Sequence, residues 1–225
     1  MNTSNLERLW LWFFPRRCVW CSGITDPAHM LCPDCEAGAG PHKTAPSLLP
    51  GTDIPLVSVF PYHSRASRML LNLKFHGGRK YAHSIGYAMA DAFRAAGLPD
   101  KPWRFCCVPM TRAKVKARGY NQSELIAGAA ARWLGAEFAP ATLRKVRETR
   151  VQHDLHADER DANVEGAFRV EEAGGLAGQS IVLCDDIRTT GATLRACAKA
   201  LEEAGAAEII CLTYLRTDLE EEADA

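Results

Sequence analysis

The sequence predicts an α/β fold, a mostly parallel sheet flanked by helices, with a small cysteine-rich module ahead of it. Three observations carry that expectation. From about residue 52 onward, short apolar runs alternate with stretches of helical spacing, the pattern of strands joined by helical crossovers. One run, Ile181-Val182-Leu183-Cys184, leads into Asp185-Asp186 and a Thr/Gly loop that opens a helix. Before residue 50 the chain is rich in cysteine, proline and aromatics, too short and broken to build a core without a staple.

Taken in order, residues 1–50 form the module, residues 51–218 the main domain, and residues 219–225 an acidic, solvated tail. Leu6 to Pro15 is apolar but short and carries two charges. It reads as a helix docking its aromatic face on the body, not as a signal peptide or a membrane span. Pro55–Phe60 reads as a strand, Ser64–Phe75 and Tyr81–Ala96 as helices with Gly97 as the stop. Phe105–Val108 is a buried-strand run followed by a basic loop, then a helix from about Asn121 to Leu134 closed by Gly135. Residues 140–170 are polar and carry no clear period. Ile181–Cys184 is a strand, Ala192–Ala204 a helix ended by Gly205, and Glu208–Tyr214 a last apolar strand. Such strands are covered on both faces of a parallel sheet.

At 225 residues, with 47% hydrophobic and 24% charged residues, the chain has the composition of a globular protein with one main core. Its 27 basic and 27 acidic residues cancel, so the whole-chain charge calls for neither nucleic acid nor an anionic membrane. Nine cysteines without a secretory signal point to a reducing compartment, the cytoplasm, and to metal ligation in preference to disulfides.

Cys18-x2-Cys21 and Cys32-x2-Cys35 are two thiol pairs separated by ten residues. Each pair can aim both sulfurs at one ion, and four thiolates close a tetrahedral site with no position left for substrate. A structural zinc is expected, and iron fits the same ligands. Metal binding would then supply folding free energy that so small a segment lacks. Cys106, Cys107, Cys184, Cys197 and Cys211 lie in apolar runs or on a helix and read as small core residues.

The segment from Ile181 to Leu194 holds the main functional signal. A strand brings Asp185 and Asp186 to the sheet edge where open α/β proteins bind ligands. The polar residues that follow, with Gly191, can converge N–H groups and hydroxyls on a phosphate at a helix N-terminus. Carboxylates beside a phosphate loop suit the hydroxyls of a ribose. No Walker-type G-x-x-x-x-G-K-[ST] occurs. Between residues 101 and 120 stand six cations, Lys101, Arg104, Arg112, Lys114, Lys116 and Arg118, and no acid. This loop is expected at the same sheet edge as Asp185, where its charge suits an anionic group. A solvated face, or a nucleic-acid track extended by Arg144, Lys145, Arg147 and Arg150, fits the same cations.

The run Cys184-Asp185-Asp186-Ile187-Arg188-Thr189-Thr190-Gly191-Ala192-Thr193 resembles the 5-phosphoribosyl-1-pyrophosphate (PRPP) binding motif of type I phosphoribosyltransferases. The resemblance implies that Asp185 and Asp186 contact the ribose 2′ and 3′ hydroxyls while Thr189, Thr190, Gly191, Ala192 and Thr193 hold the 5′-phosphate. Arg188 stands where that family usually has an apolar residue. Over nearly the whole chain the sequence also resembles the competence protein F and GntX-like proteins. The matching stretches are Phe14-Pro15-x2-Cys18-x2-Cys21 with Cys32-x2-Cys35, Leu71-x2-Lys74-Phe75, Val108-Pro109, Arg118-Gly119-Tyr120-Asn121-Gln122, Arg147-x4-Gln152-x2-Leu155, Arg160-x2-Asn163-Val164 and Gly166-Ala167-Phe168.

The resemblance implies a type I phosphoribosyltransferase fold and a pyrophosphate loop near Pro109 to Arg112. Arg112 and Lys116 would act with the two aspartates in catalysis, and Arg118 would bind PRPP. As an enzyme, the protein would take Mg²⁺-bound PRPP, release pyrophosphate and transfer the phosphoribosyl group to a nitrogen nucleophile. As a non-catalytic sensor or scaffold, it would engage single-stranded DNA or DNA-uptake proteins.

Overall fold

The computed structural model describes residues 18, 20–21, 23–26, 31–37, 46–62, 64–75, 78–149, 162–171 and 175–217. The aromatic helix expected at residues 6–15, the tail, and the motif positions Arg150, Gln152, Leu155 and Arg160 lie outside the described residues.

A short helix α1 (Pro33–Ala37) belongs to the cysteine module. The main domain runs β1 (Ser47–Leu48), β2 (Pro55–Pro61), α2 (Ser64–Phe75), α3 (Tyr81–Ala95), β3 (Trp103–Cys107), α4 (Arg112–Arg118), α5 (Gln122–Leu134), β4 (Glu137–Phe138), β5 (Leu143–Lys145), β6 (Phe168–Val170), β7 (Ser180–Arg188), α6 (Ala192–Glu203) and β8 (Glu208–Arg216). The main sheet has the order β1-β2-β8-β7-β3-β4. Every pairing in it is parallel except β1 with β2. Strands β5 and β6 form a separate antiparallel pair. The expected α/β fold with a mostly parallel, helix-flanked sheet is therefore the one observed.

The core follows from period-two alternation along the strands. Val57, Val59, Phe105, Cys107, Val182, Cys184, Ile210, Leu212 and Tyr214 face the layer that includes α2, α3 and α5. Their neighbours Leu56, Cys106, Ile181, Leu183, Ile209 and Cys211 face α6 and the β5–β6 pair. Fully burying each Leu, Ile or Val contributes about 1.5–3 kcal/mol, so two such layers hold the sheet at its centre. The cysteine module joins the first layer: Trp20 meets the Phe60 ring edge-on at 5.1 Å, and Phe60 meets Tyr214 at 5.5 Å.

Two expectations change. Strand β7 does not end at Cys184 but runs through both aspartates to Arg188, because β8 continues beside it and pairs Asp185 with Thr213 and Arg188 with Arg216. The basic stretch after β3 is a helix, α4, not a loop. Thr111 caps it by accepting from the Lys114 N–H at 3.4 Å, and Gly119 closes it at φ 86°.

Helices α3 and α5 pack at close range through Gly86, where an added Cβ would lie 2.4 Å from the Ala129 Cβ and 2.8 Å from the Ala130 nitrogen. Gly86→Ala is therefore expected to cost about 1–3 kcal/mol by overpacking. Urea unfolding checks this through the midpoint shift.

Candidate functional site

A cleft of about 300 Å³ opens at the C-terminal ends of β3 and β7. Its floor is the carboxylate pair. Asp186 is 3% exposed. Its Oδ2 accepts from the Lys74 ammonium at 2.9 Å and from the Gln122 amide at 2.8 Å. Such a buried pair is strongly destabilised by loss of one partner, about 3–5 kcal/mol. Asp185 Oδ1 accepts from the Ser123 hydroxyl at 2.8 Å and from the Asp186 N–H at 2.9 Å. Burial, reinforced by the like charge of Asp186, pushes the Asp185 carboxyl up to about 7 despite these two donors.

The partners come from the α4–α5 turn. Asn121 caps α5 by accepting from the Ser123 N–H at 3.1 Å and donates to the Val108 carbonyl at 3.1 Å. This fixes Gln122 and Ser123 over the aspartates. Arg118 donates to Gln122 Oε1, and its guanidinium lies 5.6 Å from the Phe75 ring centre. Tyr120 donates to the Leu73 carbonyl, and Arg79 covers the Tyr120 ring at 4.8 Å while donating to the Gly119 carbonyl at 2.7 Å. The end of α2 and the start of α5 are thus stapled around Asp186.

Opposite the aspartates, Arg188, Thr189, Gly191, Ala192, Thr193 and Leu194 line the cleft. Gly191 sits at φ 82° as the N-cap of α6, with no side-chain cap, and a Cβ there would meet Leu49 at 2.9 Å. Only glycine gives this backbone its left-handed turn and close approach. Arg195 pins the loop by donating to the Thr190 and Pro50 carbonyls, both at 2.8 Å. A helix start whose N-cap residue offers no side chain, behind a tight loop, can receive an anion.

Of the residues expected from sequence, Asp185, Asp186, Pro109, Thr189, Gly191, Ala192 and Thr193 line this one cleft. Thr190 is buried behind it, its hydroxyl accepting from the Ala192 N–H at 3.4 Å. Arg112 and Lys116 are exposed on α4 and do not line the cleft, and Arg118 acts through Gln122. Lys101 and Arg104 are placed at the far end of the sheet, paired with Glu208 and Glu137, because they precede β3 or sit at its start. Arg144 pairs with Glu171, and Arg147 donates to the Asn163 and Glu165 carbonyls, so neither stands free as part of a cationic track. Of the six cations expected at this sheet edge, Lys114 does line the cleft, whereas sequence reasoning did not place Ser123, Lys145 or Thr149 there and assigned no role there to Lys74 or Gln122. The Lys74 and Asn121-Gln122 motifs were the available signal for the last two.

The four cysteines converge. The sulfurs of Cys18, Cys21, Cys32 and Cys35 lie within 4.8 Å of one another, and those of Cys21 and Cys32 are 3.7 Å apart. Thiolates at ~2.3 Å from a tetrahedral ion stand about 3.8 Å from each other, so this donor set can hold a metal. Burial raises the Cys18 thiol, but N–H groups of Cys21, Cys32 and Trp20 outweigh it and bring the group down to about 6. The remaining cysteines are buried in the sheet or on α6, as expected. Among the described residues no helix is long and apolar enough to cross a membrane.

Residues 121–224 match the phosphoribosyl transferase domain model. The chain is 33% identical over 208 residues to the DNA utilization protein YhgH of Salmonella typhi, covering 89% of this chain and 90% of that one. It belongs to the competence protein F-like family of type I phosphoribosyltransferase-fold proteins. Two further relatives share less sequence with it. Competence protein F of Haemophilus influenzae is 29% identical over 159 residues, 68% of this chain and 69% of that one. Competence protein ComFC of Bacillus subtilis is 26% identical over 201 residues, 89% of this chain and 78% of that one. Within the family fold, the cleft described above lies at the carboxylate and loop motif of β7 and α6.

The Asp185 environment sets a pH dependence. Because the folded chain holds this proton more tightly than the unfolded one, the stability contribution of the neutral carboxyl is complete below its ordinary pKa of 3.8 and is lost as pH rises through about 7. Asp185→Asn is therefore expected to stabilise the ligand-free protein at pH 8 by about 1–3 kcal/mol. The difference should vanish near pH 4, as measured by urea unfolding across that range.

Proposed function

We propose that this chain binds PRPP with Mg²⁺ and transfers its phosphoribosyl group to a nucleophile with release of pyrophosphate. The observation that supports this reading is the pairing, in one cleft, of Asp185 and Asp186 with the Arg188–Thr193 loop at the start of α6. A 5′-phosphate fits the loop, and the ribose hydroxyls fit the carboxylates. In the reaction the C1′–O bond breaks, pyrophosphate leaves with the electron pair, and the nucleophile bonds to C1′ and loses its proton. Asp185 orients a ribose hydroxyl, while Lys74 and Gln122 hold the Asp186 side chain in place. Mg²⁺, held chiefly by donor oxygens, would offset charge on the leaving pyrophosphate. Such binding is better matched by an ionised Asp185, which accepts hydroxyl hydrogen bonds with both oxygens.

Calorimetric titration of PRPP with Mg²⁺ into the zinc-replete protein is expected to give saturable binding. Asp185→Asn should weaken it at least tenfold, about 1.4 kcal/mol, and Asp185→Asn/Asp186→Asn should abolish it. No heat from PRPP or ribose 5-phosphate, together with salt-sensitive binding of a single-stranded oligonucleotide, would favour the rival reading. In that reading the exposed face of α4, with Arg112 and Lys116, contacts a DNA backbone, in keeping with relatives named for competence and DNA utilization.

We further propose zinc for the four-cysteine centre, in a cytoplasmic protein. Metal removal by a chelator is then expected to lower the melting temperature and to release one zinc per chain, with Cys32→Ser reproducing the loss. Retention of full stability by the metal-free protein would overturn a structural role.

A further inference from the structure

The cleft carries positive charge that neither the phosphate loop nor the carboxylates account for. Lys74 is neutralised by Asp186. Lys114, from the first turn of α4, and Lys145, from the end of β5, also line the cleft. Among the described residues neither forms an ion pair.

Lys145 is held in place. It is partly buried, its ammonium donates to the Thr149 hydroxyl at 2.7 Å and lies 5.4 Å from the Phe168 ring centre. The β5–β6 pair that presents it is fixed to α6 by Leu143 and Phe168, packed in the same layer as Leu194, Cys197 and Leu201. Burial, and next the like charge of Lys114, push the Lys145 ammonium below its ordinary value. Two like charges facing one cleft, one of them partly desolvated, are stabilised when an anion enters.

The donor's own anionic groups have other addresses. Its 5′-phosphate fits Thr189–Thr193, and its pyrophosphate belongs with the turn after β3 at Pro109. Lys145 comes from neither segment but from the small hairpin outside the main sheet, which forms a separate wall.

We propose that Lys114 and Lys145, with the Thr149 hydroxyl, form a second anion subsite that receives an acidic group, carboxylate or phosphate, of the molecule accepting the phosphoribosyl group. The inference rests on the reading of the cleft as a phosphoribosyl site. It makes the acceptor an acid. A neutral acceptor would bring no anion to the two ammonium groups that line the cleft.

The test is calorimetry on the full-length, zinc-loaded protein and its Lys145→Met and Lys145→Arg variants. The probes are ribose 5-phosphate, inorganic pyrophosphate, and benzoate, nicotinate and phenyl phosphate added over saturating ribose 5-phosphate. Lys145→Met is expected to bind ribose 5-phosphate and pyrophosphate within twofold of the parent, which also reports that it folds. The aromatic carboxylates or the phenyl phosphate should bind at least tenfold more weakly to it, with Lys145→Arg restoring most of the affinity. Which of the two probe types responds identifies the acidic group. Loss of pyrophosphate binding alone would overturn the proposal by assigning the pair to the donor. Absence of binding by all three aromatic acids to the parent, or equal binding by Lys145→Met, would overturn it as well. If ribose 5-phosphate gives no heat with the parent, the phosphoribosyl reading fails, and the acid titrations repeated without it still report on the lysine pair.

Discussion

The buried carboxylate of Asp186 organises this molecule. It reaches the first layer of the core near the end of the β7 ladder, where an uncompensated charge would be prohibitive. Lys74 and Gln122 close around it from two different helices. The remaining polar contacts of the region extend that closure: Arg118 braces Gln122, Tyr120 ties α5 to the end of α2, and Arg79 covers Tyr120. The cost of burying one charge thereby fixes the relative placement of α2, α5 and β7, and with it the mouth of the cleft.

Asp185 and Asp186 are adjacent in sequence but unequal in environment. Alternation along β7 turns one toward the cation and the other toward Ser123, leaving Asp185 with two neutral donors and no cation at hydrogen-bond distance. That inequality explains why Asp185 is the carboxyl driven up to about 7. In the proposed reading, a ribose hydroxyl arriving there would replace lost solvation, whereas Asp186 Oδ2 already holds Lys74 and Gln122.

Much of the fold was legible in the sequence because its strands are continuous apolar runs and its helices have clean stops. Gly97, Gly135 and Gly205 all take positive φ where helices were expected to end. The cysteine spacing and the β7–α6 motif were equally readable, since each is a local pattern whose geometry the backbone enforces. What sequence alone did not yield depended on partners far along the chain. The extension of β7 through its aspartates requires β8 as a neighbour. The separation of Lys101 and Arg104 from Arg112 and Lys114 is a matter of which end of β3 each occupies. The entry of Lys145 into the cleft depends on a three-residue strand whose partner among the described residues, β6, begins more than twenty residues later, beyond the reach of any local period.

The hairpin β1–β2 gives the molecule an unexpected economy of parts. Composition changes near residue 50, yet Leu49 is fully buried against Gly191, and the Pro50 carbonyl receives Arg195. The final residues of the segment that follows the cysteine module are therefore also part of the wall behind the loop that joins β7 to α6. A shortened chain begun at residue 51 would keep every loop residue and still lose the surface that shapes it. The seam in the sequence and the seam in the architecture do not coincide, and exchange of the N-terminal module between relatives has to carry Leu49 and Pro50 with the sheet.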